Sequence, residues 1–348
     1  SRELDEVLAA SRAALADLVG GRPDEIVFGP NMTTLTFHLA RGLGRTFEPG
    51  DEIVVTELDH MANVSPWIDL ELERGVVVRT VPMDPESGDL DWEVFEASVT
   101  DRTRVVAVTA ASNALGTIVD LPRARSLARS VGALLFVDAV HLAPHERINV
   151  ATLGCDFLAC SPYKFYGPHV GVLWGRAGYL TEVLPPKLAP APEAAPEKWE
   201  TGTLNHEGIA GAAAAVDFLA ALAEGGTRSE RLDSAFDELS RRGDELIARL
   251  WQGLEGVNGV RLYGPGPGAP RTPTLSFTIE GHTPAEAAAR LSSEWGLFLS
   301  HGDFYASSVT ARLDVEPAGL LRAGCACYSN HEEVDRLIEA VGILEAGG

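Results

Sequence analysis

Short apolar runs alternate with longer amphipathic stretches through the first half of the chain. The runs cover residues 26–28, 53–56, 76–80, 105–109, 134–138, 157–160 and 170–174. Strands that are apolar on both faces and separated by helices are typical of a mostly parallel sheet sandwiched between helices. Ligands of such sheets bind beyond the carboxyl ends of the strands. The pattern therefore predicts an α/β fold with its site at that edge.

The alternation stops after Trp174. Residues 184–198 are rich in Pro and Ala, which predicts an extended surface loop. The elements predicted beyond this loop are a helix from about Glu207, an amphipathic helix at 228–251, strands near 260–263 and 274–279, a helix at 284–295 and a closing helix from His331. We predict a large domain at residues 1–226 and a smaller C-terminal α+β domain at residues 227–348.

Composition narrows the possible partners. With 28 Lys and Arg against 50 Asp and Glu, the formal net charge is −22, so nucleic acid and anionic membrane surfaces are repelled on average. The most apolar stretch, residues 208–223, contains Asp217 and predicts a packed helix rather than a membrane span. We expect a small-molecule ligand, with no nucleic-acid or membrane partner.

The number and spacing of the cysteines bear on the cellular compartment of the protein and on metal binding. The four cysteines, Cys155, Cys160, Cys325 and Cys327, are too few for a disulfide framework and contain no CxxC pair of the kind that holds zinc. We therefore expect a cytoplasmic protein without a metal site.

An acid and an amine follow two neighbouring strands of the predicted sheet. Asp138 ends the run at 134–138, where it could also simply cap the next turn. Lys164 follows the run at 157–160 among aromatic residues and prolines, which favour an uncharged, nucleophilic amine, although such a lysine can also extend its head to water. Pyridoxal phosphate needs both groups, an amine for its aldehyde and an anion beside its ring nitrogen.

Two threonines mark a possible phosphate site. Thr33 and Thr34 open the predicted helix after the first strand. Hydroxyls and free amides at a helix N-terminus bind anions, but either threonine alone would serve equally well as an N-cap.

Seven short segments resemble one family in both order and spacing. They are TT at 33–34, ELDHMAN at 57–63, SNALGT at 112–117, VDAVH at 137–141, SPYKFYG at 161–167, ETGT at 200–203 and residues 322–333. Over essentially its whole length the chain resembles class V aminotransferases of fold type I, in the cysteine desulfurase-like group. The resemblance implies a fold-type I pyridoxal-phosphate transferase, and we expect the large domain to lack the segment that opens the family fold.

The resemblance also implies roles around the cofactor ring. Lys164 would be the Schiff-base lysine, and Asp138 the partner of the pyridinium nitrogen. His60 would stack on the ring, while Asn113 and His141 would neighbour its phenolic oxygen. Without the family pattern, the two histidines are better interpreted as core or rim residues, and Asn113 as a turn residue.

Phosphate and substrate contacts are implied in the same way. Thr33, Thr34 and Ser161 would bind the phosphate, joined by Thr203 of a partner subunit, which makes the site a property of a homodimer. Arg322 would bind the carboxylate of an amino-acid substrate through its fork of donors.

The chain departs from desulfurases in one loop. The loop corresponds to residues 300–306. Desulfurases carry a cysteine in it that forms a persulfide, and the corresponding position in this chain is Tyr305. Cys325 and Cys327 are predicted on the strand of Arg322, facing one side and buried. Tyr163 also replaces a histidine that many desulfurases place before the lysine.

These features predict a carbon–sulfur lyase or a desulfurase-like enzyme acting on cysteine or an S-substituted cysteine. Lys164 would remove the α-proton, and Tyr305 or His301 would protonate the leaving sulfur. β-Elimination would release sulfide or a thiolate and leave pyruvate and ammonia. The alternatives are transamination or epimerisation of another amino acid and, in a different class, a non-catalytic scaffold or binding subunit.

Overall fold

Helices and strands alternate through residues 2–346, the part of the chain that the computed structural model describes. The helices are α1 (Arg2–Val19), α2 (Met32–Gly44), α3 (Ser65–Arg74), α4 (Trp92–Ser98), α5 (Leu121–Ser130), α6 (Val150–Leu153), α7 (Ala177–Glu182), α8 (His206–Ala220), α9 (Arg228–Glu255), α10 (Pro284–Trp295), α11 (Ser307–Arg312) and α12 (His331–Ala346). The strands are β1 (Ile26–Gly29), β2 (Glu52–Thr56), β3 (Val77–Val81), β4 (Thr103–Thr109), β5 (Leu134–Asp138), β6 (Phe157–Cys160), β7 (Gly171–Gly175), β8 (Val260–Tyr263), β9 (Thr274–Ile279), β10 (Ser300–Gly302) and β11 (Leu320–Gly324).

A seven-stranded sheet forms the centre of the molecule, in the order β3-β2-β4-β5-β6-β7-β1. The pairs from β3 to β6 are parallel. Only β7 runs against its neighbours, β6 and β1. The predicted mostly parallel sheet is confirmed, and each predicted run corresponds to a strand within a residue or two.

Helices cover both faces of this sheet. Along β4, Val106 and Val108 belong to one apolar cluster, which includes side chains of α1, α5 and α8. Val105 and Ala107 belong to the other, which includes side chains of α2 and α3. Because successive side chains of a strand point to opposite faces, a strand buried on both sides must be apolar at every position.

A smaller antiparallel sheet, in the order β10-β11-β9-β8, follows in the chain. Side chains of α9, α10 and α12 pack on it in a third cluster. Helix α9 links the two sheets, since Leu232 and Phe236 join the first cluster whereas Leu246 and Leu250 join the third. The division of the chain at residue 227 stays a prediction.

The loop after α7 is only partly the surface segment that was expected. Leu184 and Leu188 are exposed, but Lys198 and Trp199 are buried. The ammonium of Lys198 donates to the carbonyl of Thr181 at 2.6 Å and the indole of Trp199 to that of Leu180 at 2.9 Å. The prediction is wrong at this end because Trp199 anchors the segment in the core.

None of the helices within residues 2–346 combines the length and the apolar character needed to cross a membrane.

Candidate active site

Lys164 lies in a single 3₁₀ turn, Pro162–Phe165, directly after β6. Pro162 begins the turn, the side chain of Phe165 anchors it in the core, and Tyr166 ends it at a φ of 70°. The ammonium of Lys164 is 5.3 Å from the ring centroid of Tyr163. The local sequence thus directs an amine away from the core at the carboxyl edge of the sheet.

The chain has only three lysines, which makes this amine easy to distinguish. Lys187 donates to the carbonyl of Ala191 and pairs with Glu193, and Lys198 is buried against Thr181. Neither lines the cavity described below.

Asp138 reaches the same edge from the neighbouring strand. Strands β5 and β6 are parallel, with Asp138 opposite Ala159. The carboxylate is buried and accepts a hydrogen bond of 2.9 Å from the amide of Val140. Burial raises the pKa of Asp138 to about 6, against the effects of this bond and of the nearby Lys164 charge. Such a carboxylate favours a cationic or proton-donating partner.

The amine of Lys164 is also perturbed. Burial lowers the pKa of Lys164 most, and the positive charge of Arg322 lowers it further, whereas the negative charge of Asp138 raises it. A lowered pKa increases the fraction of free amine, which is the nucleophilic and basic form.

A cavity of about 500 Å³ joins these groups to most of the predicted site residues. The predicted residues that line it are Thr33, His60, Asn113, Asp138, His141, Ser161, Lys164, His301, Tyr305 and Arg322. Thr34 and Thr203 instead line a separate cavity of about 240 Å³ on the other side of the α2 N-terminus. The structure therefore brings together groups from both sheets, and places these two threonines elsewhere.

His60 lies in the turn after β2. Its Nδ1 accepts a hydrogen bond of 3.0 Å from the amide of Ala62, which places the proton of the neutral ring on Nε2. Burial, and then the charges of Lys164 and Arg322, lower its pKa. The His60 ring is 5.5 Å from that of Tyr305 at an interplanar angle of 34°.

His141 connects the cavity to the smaller sheet. Its Nε2 is 3.2 Å from the hydroxyl oxygen of Thr272 and 3.1 Å from that of Thr274. Burial, and then the charges of His145 and Arg322, hold its pKa well below the usual range, so the ring is neutral at physiological pH.

Asn113 and Arg322 form a connected pair in the cavity wall. Nη1 of Arg322 donates to the main-chain carbonyl of Asn113 at 2.6 Å. The amide nitrogen of the Asn113 side chain donates to the carbonyl of Phe304 at 2.9 Å. Its Oδ1 is buried with no hydrogen-bond partner among residues 2–346. This oxygen can accept a bond from a bound group, and leaving it unpaired is costly.

The N-terminus of α2 opens onto the cavity beside Ser161. The amide of Met32 donates to the Ser161 hydroxyl oxygen at 3.4 Å, and Asn31 caps the helix through the amide of Thr34. Strand β7 passes very close, because a Cβ on Gly171 would lie 2.3 Å from the carbonyl carbon of Asn31. Only glycine permits this approach, which brings the positive end of the helix to the cavity.

Sequence reasoning assigned no role to Asp59, the residue before His60, or to Phe304, which lines the cavity. Asp59 is buried and accepts bonds from the amide and hydroxyl of Thr56 and the side chain of Asn63. Burial raises its pKa to about 7. Phe304 places its ring under Arg322. Asp59 lay inside a recognised segment, but no sequence signal indicated Phe304.

The cysteine placement was wrong. Strand β11 ends at Gly324, so Cys325 and Cys327 lie in the following loop and are only partly buried. The pairing of β11 ends at Gly324 because Gly324 lies opposite Thr274, where its partner strand β9 begins. The amide of Cys327 instead donates to the hydroxyl of Tyr166 at 3.0 Å. None of the cavity-lining residues within the described part of the chain is a cysteine.

Known proteins resemble this chain over most of its length. The family model described as aminotransferase class V matches residues 1–337. A probable cysteine desulfurase of Pseudomonas aeruginosa is 34% identical over 345 residues, covering 95% of this chain and 81% of that protein. The cysteine desulfurase of Pectobacterium carotovorum is 30% identical, covering 97% of this chain and 82% of that protein.

Solved structures agree with this result. The cysteine desulfurase of Thermococcus onnurineus, in its apo form, superposes with a TM-score of 0.90 at 29% identity, covering all of this chain and 86% of that one. The S-sulfonic acid form of a cysteine desulfurase from Escherichia coli gives a TM-score of 0.87 at 28% identity, covering 99% of this chain and 85% of that one.

Proposed function

The chain belongs to the class V aminotransferase family of pyridoxal-phosphate-dependent enzymes, and we propose that it cleaves the carbon–sulfur bond of cysteine or of an S-substituted cysteine. Relatives that cover most of its length bear the name cysteine desulfurase. Family membership also sets aside the non-catalytic alternative. The observation that carries the proposal is the joint position of Lys164, Asp138 and Arg322 in one cavity.

The residues of the cavity fit pyridoxal phosphate. Asn113 presents a buried side-chain oxygen that lacks a partner among residues 2–346, suited to a donor such as a phenol hydroxyl. The buried carboxylate of Asp138 suits a protonated ring nitrogen. Ser161 and Thr33 lie at the N-terminus of α2, which suits a phosphate. Lys164 would hold the aldehyde carbon covalently.

When bound, the cofactor supplies an electron sink conjugated to the substrate α-carbon. Lys164, once displaced from the aldehyde by the substrate amine, would act as the general base that removes the α-proton. Arg322 would hold the α-carboxylate, which orients the α-proton towards this base. His60 would stack on the cofactor ring, and the neutral His141 would act as a hydrogen-bonding neighbour of its phenolic oxygen.

The loop that faces the cavity favours elimination. Tyr305 projects from it and cannot store sulfane sulfur. Cys155 and Cys160 are buried within β6 or just before it, and burial raises the pKa of each thiol to about 12, so both are inert. The products from cysteine and one water are pyruvate, ammonium and hydrogen sulfide, because the sulfur leaves with the bonding pair and takes up a proton. Tyr305 and His301 line the same cavity and are the proposed donors to that leaving group.

We also propose a homodimer in the cytoplasm. Thr203 is exposed and lies outside the active-site cavity of its own chain, which is compatible with a role in the phosphate site of a partner subunit. All four cysteines are free thiols, which supports a reducing compartment.

Product analysis tests the proposal. The holoenzyme is incubated with L-cysteine, L-cystine and S-methyl-L-cysteine, with L-alanine as a control that has no leaving group. Pyruvate, ammonium and the sulfur product in equal amounts support elimination. L-Alanine with protein-bound persulfide overturns elimination in favour of desulfuration. A keto acid that retains sulfur, or the D-amino acid, overturns carbon–sulfur cleavage altogether.

A further inference from the structure

The guanidinium of Arg322 lies over an aromatic ring in the cavity wall. Its guanidinium carbon is 4.1 Å from the ring centroid of Phe304, within the range of a cation–π contact. Nη1 is engaged by the carbonyl of Asn113. No acidic group among residues 2–346 offsets the lowering of the Arg322 pKa by burial. The guanidinium is therefore held in place without being neutralised.

Phe304 is itself held by the residue that Arg322 binds. Its carbonyl oxygen accepts a hydrogen bond of 2.9 Å from the side chain of Asn113. Three contacts thus close a ring of residues: Arg322 to the Asn113 carbonyl, the Asn113 amide to the Phe304 carbonyl, and the Phe304 ring to Arg322. The following residue is also tied to the large sheet, since the amide of Met61 donates to the carbonyl of Tyr305 at 2.8 Å.

A long arginine side chain loses rotamer freedom when it binds a ligand, and that loss weakens binding. Packing that orders the guanidinium beforehand removes much of this cost. Nη1 is used by Asn113, and no hydrogen bond from Nε or Nη2 to protein is found in the described part of the chain. These donors are aligned by the Phe304 ring for an incoming carboxylate.

We propose that Phe304 is a positioning residue that preorders Arg322 for an α-carboxylate, and so sets the preference of the enzyme for amino acids over simple amines. The inference rests on the proposed function, in which Arg322 binds the substrate carboxylate.

The test compares two ligands that differ by one carboxylate. L-Alanine and ethylamine are titrated into the holoenzyme, and their dissociation constants are read from the change in visible absorbance. Phe304→Leu keeps much of the bulk of the side chain but removes the ring face. It is expected to raise the dissociation constant of L-alanine about three- to thirtyfold and to leave that of ethylamine unchanged. Phe304→Tyr keeps the ring and should retain the parental ratio. Phe298→Leu is the matched control, because Phe298 lies between α10 and β10 and is 87% exposed.

Arg322→Gln separates the two proposals. This variant should abolish the preference for L-alanine. Adding Phe304→Leu to it should cause no further loss, because Phe304 acts only through Arg322. If Arg322→Gln keeps the preference, the proposed role of Arg322 fails, and this inference with it. If Arg322→Gln loses the preference but Phe304→Leu does not, or weakens both ligands alike, the inference alone is overturned. Should Phe304→Leu not fold with cofactor, Phe304→Met is measured in its place.

Discussion

The main-chain amide of Met61 donates a hydrogen bond of 2.8 Å to the carbonyl oxygen of Tyr305. This bond ties the loop before α11 to the turn that carries His60. Phe304 and Tyr305 have φ angles of 57° and 56°, a region that non-glycine residues seldom occupy and that costs energy to hold. The loop is thus held in a defined conformation, with the Tyr305 side chain directed to the cavity.

Placing a thiol at this position should redirect the sulfur. In Tyr305→Cys the side chain still faces the cavity, so its thiolate can attack the substrate sulfur and release L-alanine. We expect protein-bound sulfane sulfur on the variant after incubation with L-cysteine, detected by alkylation and mass spectrometry. Tyr305→Ser, which has no thiol, is the control. A variant that turns over L-cysteine without acquiring any sulfane sulfur contradicts the proposed position of this side chain.

Removing the amine of Lys164 should abolish turnover. Lys164→Ala is expected to lower the rate of pyruvate formation about a thousandfold or more, because the general base is lost. Lys187→Ala removes a lysine that pairs with exposed Glu193 outside the cavity, and it should leave the rate within about twofold of the parent. Comparable losses in the two variants would show that Lys164 has no special role.

Asp138 should reduce the stability of the cofactor-free protein as pH rises. Its folded pKa of about 6 exceeds the ordinary value of 3.8. Protonated Asp138 therefore favours folding, and this contribution is full below about pH 4 and lost as pH rises through about 6. Across that window the cofactor-free Asp138→Asn variant should become more stable than the parent, by about 1–3 kcal/mol of unfolding free energy at pH 8. In the holoenzyme the same substitution should lower the rate about a hundredfold.

Thermal unfolding of the cofactor-free proteins between about pH 4 and 8 checks this difference. Asp101→Asn, which changes an exposed carboxylate, should follow the parent at every pH. A gap between Asp138→Asn and the parent that does not depend on pH would contradict the raised pKa.

Strand β7 passes so close to the N-terminus of α2 that position 171 should tolerate no side chain. Gly171→Ala places a methyl group against the backbone of Asn31 and is expected to cost about 1–3 kcal/mol of unfolding free energy and to weaken cofactor binding. Gly178→Ala, in α7, meets no atom within 4 Å and should be neutral or gain about 0.5–1 kcal/mol. Denaturant unfolding and cofactor titration give both quantities. Equal effects of the two substitutions would contradict the close approach.

The edge that carries the site could be predicted because it follows from local pattern. Asp138 and Lys164 each come directly after an apolar run, and neighbouring parallel strands end at the same edge. Strand and helix positions were predictable for the same reason, since each depends on the spacing of apolar residues within a short window.

Contacts between distant parts of the chain could not be predicted. Asn113 binds the carbonyl of a residue 191 positions away, and no periodicity links them. Thr33 and Thr34 look equivalent in the sequence, but one step along a helix rotates a side chain by about 100°, so they line different cavities. Strand β11 ends before Cys325 because its partner strand β9 begins at Thr274, which again is remote in the chain.

Covalent mapping tests most directly whether Lys164 carries the cofactor. The full-length holoenzyme is reduced with borohydride, digested and analysed by mass spectrometry, and its three lysines make the assignment unambiguous. We predict that the reduced cofactor is found on the peptide containing Lys164 in stoichiometric amount. Cofactor recovered on Lys187 or Lys198, or on no lysine in a protein that turns over L-cysteine, would contradict the account.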